Sequence, residues 1–126
     1  MAWKEREWVA FDVLEGQTIT KIENKDDAEL IFTTAEGNQY LMYHQQDCCE
    51  DVWLDDSDGL DDIIGQVVRR ATESSQAIEG MDDDYGTGTW TFYSIITDKS
   101  IANLVWRGES NGCYSESVDF MKCVED

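Results

Sequence analysis

Proline is absent, histidine occurs once, and basic residues are scarce: nine lysines and arginines stand against 28 aspartates and glutamates in 126 residues. Without proline, chain reversals fall to glycine, asparagine and aspartate. A net charge of −19 repels phosphate, which argues against direct contact with nucleic acid or an anionic membrane and favours basic protein surfaces and cations. No segment approaches 18 uncharged apolar residues, so no membrane-spanning helix is expected. The start, MAWKEREW, is charged where an export signal needs an apolar run, so a cytoplasmic chain is expected. In that reducing compartment the four cysteines are expected as thiols. Internal repeats and linkers are also missing, and the length suits one domain over residues 1–126.

What is present excludes disorder: 41% of residues are hydrophobic and five are tryptophan. The acids are unevenly spread. Between Lys25 and Arg69 lie 43 positions with twelve acids and no lysine or arginine. Within that interval, YHQQDCCEDVWLDDSDGLDDIIG (43–65) combines the one histidine, two adjacent cysteines and eight carboxylates.

The apolar pattern predicts a mostly β chain, a single antiparallel β-sandwich or partly open barrel with one or two short helices. Residues 1–14 read as an N-terminal arm or short helix, with Trp3, Trp8, Phe11 and Leu14 near helical spacing. TITKIEN (18–24), AELIFTT (28–34), NQYLMYH (38–44), DVWLD (51–55) and QVVRRATES (66–74) read as strands. Asp58 is placed to cap one helical turn ending at Gly65. Residues 75–88 read as a mobile acidic loop. WTFYSIIT (90–97) and IANLVWRG (101–108) form a hairpin across Asp98–Ser100, and Asn111-Gly112 a further hairpin turn before a last strand at 114–123. WTFYSII is apolar enough to serve as a dimerising edge strand instead of packing in a core.

Three chemistries compete for the acidic stretch. His44, Cys48 and Cys49 are zinc-ligand types, with Cys113 or Cys123 to complete a tetrahedron, but they form one cluster without the second ligand pair of structural zinc sites. A calcium loop fails on register, because with Gly59 at position 6 the first and last ligand positions fall on Leu54 and Gly65. A catalytic thiol at Cys48 is disfavoured by the surrounding carboxylates, which oppose a thiolate. Two binding surfaces remain. One is acidic: Asp47, Glu50, Asp51, Asp55, Asp56, Asp58, Asp61 and Asp62. The other is a small-ligand pocket suited to a nucleotide signal, built from His44, Asp47, Trp53, Trp106, Arg107, Glu109 and Asn111. The plain architectural alternative is a turn between two strands at Asp47 and the residues after Gln46, in which aspartate side chains satisfy backbone N–H groups.

Several segments in order, GQTITKIE, YHQQDCCEDVWLDD, LDDIIG, WTFY and ESNGCYSESVDF, resemble a family of small phage and bacterial domains of unknown function over roughly residues 14–121. Tyr114, Ser115 and Glu116 match the last motif, whereas Cys113 stands where relatives carry tyrosine. The resemblance implies a phage or prophage origin, a bacterial host and a compact β-rich domain, and no reaction. Together with the base-free acidic interval it leads to one expectation: a non-enzymatic viral inhibitor without a cofactor. Its acidic face would engage a basic host protein, such as a nuclease or other defence factor, in place of nucleic acid, and a homo-oligomer is compatible with it.

Overall fold

The computed structural model describes residues 5–78 and 86–124. Nine strands follow in order: β1 (Glu5–Trp8), β2 (Ile19–Lys25), β3 (Glu29–Thr34), β4 (Gln39–Tyr43), β5 (Asp51–Asp58), β6 (Arg70–Ala77), β7 (Thr87–Ile96), β8 (Ile101–Ser110) and β9 (Asp119–Val124). They form two antiparallel sheets, β1-β9-β4-β3-β2 and β5-β8-β7-β6, facing each other as a sandwich with no closed barrel. Period-two alternation explains the layering, since successive side chains leave opposite faces of a strand. On β7, Tyr93 and Ile95 point into the core, as do Leu104 and Trp106 on β8 and Tyr40 and Met42 on β4. Phe120 of β9 stacks on Tyr40, with ring centroids 5.4 Å apart, and meets Phe11 and Phe32 edge-on.

Several expectations for local structure need correction. Residues 5–8 are a strand paired with β9, and only Phe11–Leu14 coil, as a single 3-10 turn. The apolar spacing that suggested a helix instead serves two elements, with Phe11 and Leu14 buried under the sheets and Trp8 exposed. Residues 59–65 form turns and not a helix, and Asp58 ends β5 instead of capping. The β6 strand begins at Arg70, four residues later than the pattern suggested, and 66–69 pass through an isolated bridge between Thr18 and Val67. Asn111-Gly112 does not close a hairpin, because β8 and β9 belong to different sheets. The WTFYSII segment lies in β7, an interior strand, so it offers no free edge. Of the stretch expected as a mobile loop, residues 79–85 lie outside the described residues, while 75–77 and 87–88 are strand.

Two contacts lock the acidic strand to the sandwich. The Leu54 N–H on the open side of β5 donates to the Asp27 carbonyl at 2.7 Å, joining the two sheets at one corner. At the far end, Gly59 has φ +73°, and a Cβ there would lie 2.3 Å from the Ile101 carbonyl oxygen. Gly59→Ala is therefore expected to cost more than about 1 kcal/mol, because strain and a backbone clash combine. A thermal melt should show a clear fall in midpoint; an unchanged midpoint would refute this geometry.

Candidate functional site

The acidic interval folds into two different structures. Its first part, 44–50, is a buckle whose residues 45–49 are exposed around a buried His44–Glu50 pair. The His44 side chain is 4% exposed and that of Glu50 is 0%. His44 Nε2 lies 2.8 Å from Glu50 Oε2, and Nδ1 lies 2.7 Å from the Ser117 carbonyl oxygen. Each ring nitrogen therefore faces an oxygen, one from a carboxylate and one from a backbone carbonyl. Glu50 also receives the backbone N–H of Asp47 (3.0 Å) and of Cys48 (2.8 Å), and Gln46 Nε2 at 3.3 Å. The His44 hydrogen bond, helped by these backbone donors and opposed by burial, holds the Glu50 carboxyl down at about 2. Glu50 thus cannot present its charge to a partner, which corrects its assignment to the acidic face. The carboxylate that takes the Asp47 and Cys48 N–H groups is Glu50, not the expected Asp47.

The buckle joins the two motif-bearing segments. Besides the His44–Ser117 bond, the Gln45 N–H donates to Asp119 Oδ2 at 3.0 Å, and Tyr43 pairs with Asp119 between β4 and β9. Cys48 and Cys49 are bonded to each other in the bend beside Glu50, which corrects the expectation that they are thiols. Cys113 is an exposed thiol and Cys123 a buried one, raised to about 11 by burial. Both His44 nitrogens and both sulfurs are therefore engaged. Among the described residues no group of three His, Cys, Asp or Glu side chains converges as metal ligands would.

The second part is open. β5 is an edge of its sheet. A bulge between Leu54 and Asp56 shifts its register against β8. As a result Asp51, Trp53, Asp56 and Asp58 stand opposite Glu109, Arg107, Val105 and Asn103 on the outer face, with Asp55 in the bulge. Asp61 and Asp62 continue the row in the 59–65 turn. All six aspartates are exposed, as is Asp47. Among the described residues, no cation pairs with any of the six. At roughly 3.3 Å per residue, β5 alone spans about 23 Å from Asp51 to Asp58.

The alternative pocket does not assemble. Trp106 is fully buried on the inner face, its indole N–H donating to Met42 Sδ at 3.1 Å, whereas its neighbour Arg107 points outward. Arg107 lies 5.0 Å from the Trp90 ring centroid and donates to Glu109 at 2.6 Å. Trp53 shares that outer face, His44 sits in the buckle, and Asn111 occupies an exposed bend where its side chain accepts the Cys113 N–H. Adjacent strand residues cannot share a face, and this parts Trp106 from Arg107.

One polar centre was not anticipated as a site. Thr87 and Thr89 of β7 and Ser110 of β8 all donate hydroxyl hydrogen bonds to the Glu116 carboxylate, at 2.5 and 2.7 Å for the two threonines. Burial pushes the Glu116 pKa up, but the three hydroxyls outweigh it and leave the group below the ordinary carboxylate range. Gly108 makes room for this strap: a Cβ there would lie 2.7 Å from the Glu116 carbonyl oxygen. The signal was legible in TGTWTFYSII, where alternate residues pass from Thr87, Thr89 and Thr91 to Tyr93 and Ile95 along one face.

Comparison with known proteins gives a family and no function. A family described as "Domain of unknown function (DUF7448)" matches residues 12–120. No curated protein and no solved structure matches.

Proposed function

We propose, for a chain that belongs to the DUF7448 family of unknown function, that it acts by binding and not by catalysis, through the acidic edge formed by β5 and the turn after it. The observation that carries this reading is the row Asp51, Asp55, Asp56, Asp58, Asp61 and Asp62, exposed and without ion-pair partners among the described residues. An edge strand normally invites pairing with another chain, and charge along it discourages that pairing. Here the charge also lies on the outer face, on a rigid strand, where it favours a basic groove shaped for nucleic acid. Trp53 among the carboxylates adds an aromatic anchor of the kind that concentrates binding energy. Electrostatic steering would make association fast and strongly dependent on salt. The partner class is a basic host protein, such as a nuclease or other defence factor of a bacterial cell, and the role that of a phage-type inhibitor.

The test uses the immobilised full chain against a bacterial lysate. Partners captured at low salt should be released by 500 mM salt and displaced by duplex DNA. A variant with the six aspartates changed to asparagine should keep its circular dichroism spectrum and capture none of them. Capture that survives 500 mM salt, or persists in that variant, would sink the electrostatic reading.

A further inference from the structure

The inner face of the β5-β8-β7-β6 sheet changes character along its length. Across β6, β7 and β8, the row Ala71–Ile95–Ala102 is apolar. The row Ser75–Thr91–Trp106 is mixed, and beyond it stand Thr89, Gly108, Thr87 and Ser110. At this polar end the 114–118 strap covers the sheet and leaves a cavity of about 380 Å³. Its wall includes Glu73, Ser75, Thr91, Tyr114 and Glu116, and no lysine, arginine or histidine.

Thr91 points to a ligand independently of the acids. The residue is only 4% exposed, lines the cavity, and its hydroxyl has no hydrogen-bond partner among the described residues. Yet no buried side-chain polar atom is sealed off without a partner, so this hydroxyl opens into the cavity. A hydroxyl thus stands open on a face that elsewhere forms the core, where water or a ligand in the cavity satisfies it. Glu73 stands at the exposed rim of the same cavity. One of its oxygens accepts the Tyr93 hydroxyl at 3.3 Å, and no other side-chain partner among the described residues reaches it.

We propose that this cavity binds a small organic cation, a primary amine or guanidinium, with the Glu73 and Glu116 carboxylates opposing its charge and the Thr91 and Ser75 hydroxyls accepting its N–H groups. An anion is excluded by two carboxylates without a cation in the wall. A divalent metal is a poor fit, because hard cations need six or more oxygen ligands and no three acidic side chains converge among the described residues. A neutral polyol would make weaker contacts with the carboxylates, since charge-assisted hydrogen bonds between ions are roughly twice as strong as neutral ones. Desolvation beside Tyr93 raises the Glu73 pKa, the direction expected of a carboxylate awaiting a counter-charge. Tyr114 also lines the wall, an aromatic residue of the kind that attracts cations. This inference does not rest on the acidic edge, which lies across the sheet on β5.

The experiment is a titration of the isotopically labelled full chain followed by amide chemical shifts. The probes are agmatine, a capped Gly-Arg-Gly peptide, glucose and calcium chloride. Agmatine or the peptide should shift amides of residues 73–75, 89–91 and 114–117 and saturate, and the tighter of the two tells a free cation from an arginine side chain. Glu73→Gln should weaken that binding at least tenfold and Thr91→Val several-fold, with the rest of the spectrum unchanged; neither residue holds the strap. Saturation by glucose or calcium in place of the cations would overturn the proposal. So would cation shifts that spare these residues, or affinity unaltered in both variants.

Discussion

Trp106→Ala is expected to cost about 3–5 kcal/mol, the range for emptying a fully buried tryptophan site. Trp106 has no exposed surface, packs between the sheets and donates to Met42 Sδ, so truncation leaves both a cavity and a lost cross-sheet contact. Against a typical total of about 5–15 kcal/mol, such a loss leaves the domain marginal or unfolded. Trp53→Ala, on the half-exposed outer face of β5, should leave the denaturation midpoint nearly unchanged while weakening capture of the basic partner. Chemical denaturation of both variants checks this. Equal stabilities would place Trp106 outside the core and reopen the ligand pocket that sequence suggested.

Glu50→Gln is expected to change how the protein meets acid. In the folded chain Glu50 titrates at about 2, below its ordinary value of 4.5. A depressed carboxyl contributes stability that is complete above the unfolded value and lost as pH falls through the folded one. The wild type should therefore lose stability between about pH 4.5 and 2, and part of that loss should be missing from Glu50→Gln. The variant should also be less stable near neutrality, because His44 loses its anionic partner and the Asp47 and Cys48 N–H groups face a weaker acceptor. Urea midpoints measured from pH 7 to 2 give the difference directly. Parallel curves for the two proteins would mean that the hydrogen bonds of the buckle do not hold the Glu50 carboxylate down. Other carboxylates cancel in that difference, which isolates this pair from the surrounding acids.

Glu50 and Asp51 illustrate how closely a motif can be read and still be misassigned. The stretch was legible as acidic and as a corner, and both are right. Which carboxylate serves which purpose was not legible. Glu50 and Asp51 are neighbours of the same charge, yet one is buried under His44 and the other stands exposed on the outer face. Their difference arises at the start of β5, where alternation sends consecutive side chains to opposite sides. The bulge at Asp55 is likewise silent in the sequence, although it decides that Asp56 and Asp58 share the outer face with Asp51.

Composition and period by themselves determined the β architecture, the strands from β2 to β4, the β7–β8 hairpin and the concentration of charge in one interval. These are local properties: an alternating strand carries its pattern wherever it packs. Tertiary structure alone decided what non-local contacts control. It set β1 beside β9 and carried β8 and β9 into different sheets. It closed His44 onto Glu50 and Ser117, 73 residues apart at the farther contact, and laid the Glu116 strap over Thr87 and Thr89. Such contacts depend on which sheet face a distant segment covers, and no window of neighbouring residues contains that information.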